Sequence, residues 1–155
     1  MITVLNAETK PFYNQAFEED VYGHFPEEEI FLLWRNSPAV VVGSYQNICR
    51  EVHVRALREA NIPVVRRMTG GGTVYHDLGN LNYTYIYTEN GEMSYARGLD
   101  RMVEALNKIG VPAQRSRVCD LAIGENKISG SAGRMVKNRV LHHGTLLFDS
   151  DLDAL

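Results

Sequence analysis

Three consecutive glycines, Gly70-Gly71-Gly72, lie between Arg66-Arg67-Met68-Thr69 and Thr73-Val74-Tyr75-His76-Asp77-Leu78-Gly79-Asn80. In regular structure each glycine costs about 0.5–1 kcal/mol relative to alanine, so a triplet needs another reason to be there. Two reasons suit an anion: access to φ > 0 at several neighbouring residues, and a missing Cβ that lets backbone N–H groups approach a ligand. If residues 64–68 are extended, Arg66 and Arg67 point to opposite faces, one reaching the glycine-lined space and the other staying in solvent. A flexible linker would have polar, low-complexity flanks. Here the flanks are Ile62-Pro63-Val64-Val65 and the alternating run Leu81 to Tyr87. Neither common phosphate loop is present, since no Gly-x-x-x-x-Gly-Lys-Ser/Thr occurs and no Gly-x-Gly-x-x-Gly opens a helix after a strand.

A second group of chemically capable residues spans Cys119-Asp120 to Lys127-Ile128-Ser129-Gly130-Ser131-Ala132. With Glu125-Asn126 as a two-residue turn, Gly124 pairs with Lys127 and Ile123 with Ile128, so Asp120, Ala122, Lys127 and Ser129 share one face. In that register Asp120 is about four residues, or roughly 13 Å, along the strand from Lys127. The two charges then hold opposite parts of a long ligand, or they are a solvated turn lysine and a surface carboxylate. His142-His143 do not form a zinc site, because adjacent strand residues face opposite ways and no Cys or His partner lies at ligand spacing. His143 shares a face with Leu141 and Thr145, as a core histidine or a ligand contact.

Helices and strands must position these groups. Thr9 and Pro11 open a first helix with Phe12, Tyr13, Ala16, Phe17 and Val21 on its apolar face. Glu29 to Arg35 and Ala39 to Gly43 read as a hairpin across Asn36-Ser37-Pro38. Glu51 to Asn61 reads as a second helix ending before Pro63. The stripe Leu81, Tyr83, Tyr85, Tyr87 reads as a buried strand face, in preference to a platform for bases. Ser94 caps a third helix with Tyr95, Leu99, Met102, Val103 and Leu106 inward, stopping at Gly110. Strands follow at Ala113 to Arg117, Asp120 to Ile123, Lys127 to Ser129 and Val140 to Phe148. The pattern predicts an α+β domain with a mixed, largely antiparallel sheet flanked by helices.

At 155 residues and 45% hydrophobic content the chain is read as one domain with one core. A formal charge of −3 gives no basic footprint for nucleic acid. Cys49 and Cys119 have neither metal-ligand spacing nor the density of a disulfide scaffold, which favours free thiols in a reducing cytoplasm. No apolar run reaches the roughly 18–20 residues of a membrane span, and residues 1–10 carry no signal-peptide pattern.

Arg-Arg-x-x-Gly-Gly-Gly-x-Val-x-His-Asp-x-Gly-Asn at 66–80, Asp-Leu at 120–121, Lys-Ile-Ser-Gly-Ser-Ala at 127–132 and His-His-Gly-Thr-Leu-Leu at 142–147 together resemble the lipoate–protein ligase A family. The resemblance implies the fold of biotin ligases and class II aminoacyl-tRNA synthetase cores. It also implies ATP-dependent conversion of lipoate to lipoyl-AMP, then transfer to a carrier lysine on lipoyl domains of 2-oxoacid dehydrogenase complexes or the glycine-cleavage H protein. By resemblance Lys127 contacts the activated carboxyl and the α-phosphate, and Arg67 lies beside the ligand. Gly71, Gly72, Thr73, Val74 and Tyr75 supply backbone around the adenylate, and His76, Asp120 and His143 match further pocket positions. Mg²⁺ is expected to arrive with ATP, with no site built from protein ligands alone.

The resemblance also implies that the ligase catalytic domain continues past Leu155, with an accessory C-terminal domain or a separate C-terminal polypeptide. Cys119 stands where the ligases usually have Asn. That raises one alternative, an ATP-independent octanoyl or lipoyl transferase working through a cysteine thioester. A module that binds lipoate or adenylate without turnover is another, and the same physics allows biotin as the activated acid.

Overall fold

In the computed structural model, which describes residues 1–154, the chain runs β1 (Ile2–Leu5), α1 (Pro11–His24), β2 (Ile30–Trp34), β3 (Ala39–Val42), α2 (Ile48–Glu51), α3 (Val54–Glu59), β4 (Val64–Arg66), β5 (Val74–His76), β6 (Asn80–Thr88), α4 (Tyr95–Lys108), β7 (Gln114–Arg115), β8 (Asp120–Ile123), β9 (Asn126–Val136) and β10 (Arg139–Leu147). A seven-stranded sheet has the order β1-β2-β6-β10-β9-β8-β7, and a three-stranded sheet the order β4-β3-β5. In the large sheet only β1 and β2 run parallel, so the architecture is the expected mixed, largely antiparallel one.

Alternation along β6 decides what covers each face. Tyr83, with Leu146 on β10 and Leu121 on β8, packs under Leu99 and Met102 of α4. Ile86, with Ile30, Leu32, Trp34 and Leu141, packs under Val21 of α1. Ser94 Oγ accepts from Ala96 N–H at 3.2 Å to start α4, and Gly110 takes φ +87° just beyond its end, as the sequence predicts. The tyrosine stripe is buried. Tyr85 and Tyr87 stack at 4.6 Å, and Arg101 and Arg97 lie 4.6 and 4.3 Å from their ring centroids, which leaves no open platform for bases.

Four expectations change. β2 and β3 are not a hairpin: β2 already has β1 on one edge and β6 on the other, so β3 leaves for the second sheet. The second helix, expected over Glu51 to Asn61, is shortened to α3, because His53 caps its start, its Nδ1 accepting from Ala56 N–H at 3.2 Å, and α2 is a separate turn of helix just before it. α1 buries Pro11, Asn14, Glu18 and Val21 and leaves Phe12 and Tyr13 exposed, and Thr9 does not cap it. Lys127 and Asp120 are adjacent. The turn is Gly124-Glu125, one residue earlier than expected, with Gly124 at φ +57°, so Ala122 faces Lys127, and a bulge between Leu121 and Ala122 then sets Asp120 opposite Gly130. The lysine is then only two residues along from the carboxylate, within reach of its side chain.

Candidate active site

One line of paired residues crosses five strands of the large sheet. Trp34 on β2 faces Asn82 on β6, Asn82 faces Thr145 on β10, Thr145 Oγ1 meets Gly130 N at 3.4 Å on β9, and Gly130 faces Asp120 on β8. Four strand spacings of ~4.8 Å give roughly 19 Å from end to end. Over this line lies a cleft of about 350 Å³, roofed by the glycine loop between β4 and β5 and lined at one end by Lys127 and Asp120 and at the other by Trp34, Val41 and His76. One end is charged and the other largely apolar.

At the charged end, Lys127 Nζ lies 3.0 Å from Asp120 Oδ1, with the lysine side chain 59% exposed and the aspartate 7%. The ammonium is therefore held in place while keeping donors free for an incoming anion. Arg67 has a different task. Its Nη2 donates to the Gly70 and Gly72 carbonyls, both at 2.7 Å, its Nη1 to Val41 O at 3.2 Å and its Nε to Thr69 Oγ1 at 3.1 Å. It gathers the loop carbonyls, while the N–H groups of residues 70–73 donate to no acceptor among the described residues. Of the three glycines only Gly71 adopts positive φ, +91°, so one left-handed residue is enough to turn the loop. Arg66, on the opposite side, donates to the carbonyls of Gly43, Ser44 and Gln46.

A buried hydrogen-bond chain fixes the cleft wall. Thr69 Oγ1 lies 2.7 Å from His143 Nε2, and His143 Nδ1 lies 2.9 Å from Glu18 Oε1. Glu18 also accepts from Thr84 Oγ1, which accepts from Trp34 Nε1 at 3.0 Å. Donors run inward from Arg67 and from Trp34 and end on Glu18, a carboxylate 1% exposed. Its burial is compensated by two donors, Thr84 Oγ1 and His143 Nδ1, the latter within reach of both carboxylate oxygens, and by Arg67 nearby. Asn36 Nδ2 lies 3.1 Å from His76 Nδ1. Burial, then the neighbouring His143 and Arg67, push the His76 pKa down from 6.5 to about 3, with Asp77 opposing, so the ring is neutral.

The structure thus brings Arg67, Gly71, Gly72, Thr73, Val74, His76, Asp120, Lys127 and His143 to one cleft. Tyr75 is not in its lining, because β5 alternates and turns that side chain the other way. Residues not anticipated as part of the site are Glu18, Trp34, Thr69, Asn82, Thr84 and Thr145. The available signal was the 11-14-18-21 spacing on α1, which is helical but half polar. No group of three His, Cys, Asp or Glu side chains that could hold a metal occurs among the described residues.

Residues 10–155 match the lipoyl protein ligase A/B catalytic domain. The chain belongs to this family. It is 43% identical over 150 residues to lipoate–protein ligase 1 of Staphylococcus aureus, covering 95% of this chain and 46% of that protein, so it spans about half of that relative's length. Among solved structures it is similar to a bipartite lipoate–protein ligase studied with its E2 lipoyl domain from Thermoplasma acidophilum, at TM-score 0.90 and 30% identity over 99% of this chain and 64% of that one. It is also similar to lipoate–protein ligase A bound with ATP, at TM-score 0.83 and 30% identity over 100% of this chain and 70% of that one. The two-sheet architecture is that of the lipoate ligases.

Within this lipoyl protein ligase A/B domain, Cys119 lines the cleft beside Asp120, its Sγ 3.7 Å from Asp120 Oδ1. Burial raises the thiol pKa, the Asp120 charge raises it further, and Lys127 only partly offsets them. The thiolate is disfavoured where a nucleophilic cysteine needs it. No helix among the described residues is long and apolar enough to cross a membrane.

Proposed function

We propose that this domain activates lipoate with ATP and passes the acyl group to a carrier lysine. The observation that carries the reading is the polarity of the cleft: a largely apolar far end at Trp34 joined to a charged end where Lys127 is held beside Asp120. A medium-chain acid lies along it with its carboxylate at Lys127. In the first step a carboxylate oxygen attacks the α-phosphorus of ATP, the bond to the bridging oxygen breaks, and pyrophosphate leaves with that electron pair. Lys127 and the free N–H groups of residues 70–73 stand where negative charge builds on phosphorus and the acyl oxygen. In the second step the neutral ε-amine of the carrier lysine attacks the acyl carbon, AMP departs and the amine loses a proton.

Among the described residues the charged end has one buried carboxylate, Asp120, already paired with Lys127. That fits Mg²⁺ held mostly by phosphate oxygens and water, with at most one protein carboxylate, and the ion would neutralise the departing pyrophosphate. The S. aureus relative's name and the T. acidophilum pair, a two-part ligase with its lipoyl domain, support lipoyl domains as carriers and a second polypeptide as a working partner. The H protein of glycine cleavage is a further carrier by the same chemistry. The raised Cys119 pKa favours this route over a thioester transferase.

The test is to incubate the chain with Mg·ATP and lipoate, without carrier, and to measure lipoyl-AMP and pyrophosphate by mass spectrometry. Both products are expected, from the chain alone or after adding a C-terminal polypeptide of the family. Acyl transfer without ATP that disappears in Cys119→Ala would replace this reading with the thioester one.

A further inference from the structure

The apolar end of the cleft carries two buried hydrogen-bonding groups that the protein leaves without partners. Asn14 Nδ2 donates to Glu8 O at 3.0 Å and Arg35 O at 2.9 Å, two backbone carbonyls, so that atom is a nitrogen and not an oxygen. Asn36 Oδ1 lies 2.9 Å from the same nitrogen, whose two hydrogens are shared among the three acceptors; an Asn36 nitrogen at that point would set donor against donor, so Asn36 Nδ2 is the atom turned to His76 Nδ1 and donates to it. With Nδ1 accepting and the ring neutral, the proton of His76 is on Nε2. That N–H lies on the side of the ring away from Asn36 and finds no protein acceptor, although His76 is only 4% exposed. Asn82, 2% exposed, donates nothing through Nδ2 either, while its Oδ1 accepts from Asn80 Nδ2 at 2.9 Å. Both residues line the cleft beside Trp34, Asn82 directly opposite it in register and His76 edge-on to its ring.

A buried donor with no acceptor is costly, and a purely alkyl ligand would leave that cost in place. Resting on the acyl-acid reading above, we infer that His76 and Asn82 are specificity residues that select an acid carrying hydrogen-bond acceptors at its far end, the dithiolane sulfurs of lipoate, over an alkyl acid of the same length. Sulfur is a weak acceptor, so the expected discrimination is on the order of tenfold. Trp34 is the only tryptophan of the chain and reports occupancy of this end by its fluorescence.

The experiment compares binding of lipoate, octanoate and cyclopentylpentanoate, which keeps the ring and replaces both sulfurs by methylenes. Titrations follow Trp34 fluorescence, with calorimetry as a check. The wild-type chain binds lipoate about tenfold more tightly than the carbocycle, and the gap narrows in His76→Phe and in Asn82→Leu through loss of lipoate affinity. A gap of the same size in both variants, or no gap in the wild type, overturns the inference and leaves the functional reading intact. Failure of the wild type to bind any of the three acids, both alone and with a C-terminal polypeptide of the family added, overturns the functional reading itself. Should either variant fail to fold, ¹⁵N spectra of the wild-type histidines decide: the His76 Nε2–H resonance shifts with lipoate and not with the carbocycle, and equal responses overturn the inference.

Discussion

Lys127 in the cleft and Glu18 buried behind its wall show two uses of a charged side chain. Lys127 is half in solvent and held by Asp120, so its replacement removes charge from the reaction and leaves the buried Asp120 carboxylate without its cation. Lys127→Ala should slow adenylate formation by about two to three orders of magnitude, read by single-turnover kinetics on the folded variant. Unchanged adenylation would remove Lys127 from the mechanism. Glu18 is the reverse, a buried acceptor on which His143 and Thr84 converge. Glu18→Ala leaves those donors unsatisfied and should cost about 2–5 kcal/mol in urea unfolding. Histidine burial adds a pH dependence. His142, fully buried with both ring nitrogens unpartnered, has its pKa lowered to about 4 by burial and then by His143. His76 is lowered to about 3. Both folded-state values lie below the ordinary 6.5, so on acidification the unfolded chain takes up protons first. Their contribution is complete above about pH 6.5 and declines by about 1.4 kcal/mol per pH unit for each histidine below it, until the folded pKa is reached. In His142→Phe the stability–pH slope between 6.5 and 4 should lose one histidine's share.

Helix α4 carries a glycine at position 98 that its propensity argues against. A Cβ there would sit 2.0 Å from His142 Nδ1 and 2.6 Å from its Cε1, so the helix can approach β10 only without one. Gly98→Ala gains up to about 1 kcal/mol of helix propensity and meets that clash, for a net loss of about 1–3 kcal/mol. A double-mutant cycle with His142→Ala should show coupling that recovers most of it. Sequence periodicity reveals α4, β6 and β10, because their inward residues are apolar and repeat at helix or strand spacing. It does not reveal the inward face of α1, because Asn14 and Glu18 are buried for their hydrogen bonds and a hydrophobic stripe drawn through Phe12 and Tyr13 follows the exposed side. The glycine loop and Lys127 stand out by residue type. Their meeting with Asp120 was hidden by the place of the turn, which at Gly124-Glu125 moves Lys127 from opposite Gly124 to opposite Ala122, two residues from the carboxylate.

The cleft is a seam between two sheets, assembled from segments far apart in the chain. Direct ties across it include Thr69 to His143 and Asn36 to His76, with Trp34 against His76. A ligand spanning from Lys127 to Trp34 touches the large sheet along five strands and the glycine loop above them, so it binds only when both sheets are folded and in register. Its binding free energy is then added to global stability. A non-hydrolysable lipoyl-adenylate analogue at about one hundred times its Kd should stabilise the native state by about 2.7 kcal/mol. For a domain of this size that corresponds to a rise in Tm of roughly 5–10 °C in a thermal melt. Lipoate alone, tested at the same concentration, should produce a smaller rise, because it leaves the loop N–H groups and part of Lys127 unused. Lys127→Ala should bind the analogue more weakly and shift less at that concentration. If lipoate and the full analogue, each at saturation and with matched Kd multiples, protected the apolar end and the glycine loop equally from hydrogen exchange, the loop would not be the adenylate cradle. Protection of residues 70–73 by the analogue alone is the outcome expected from their unpaired N–H groups.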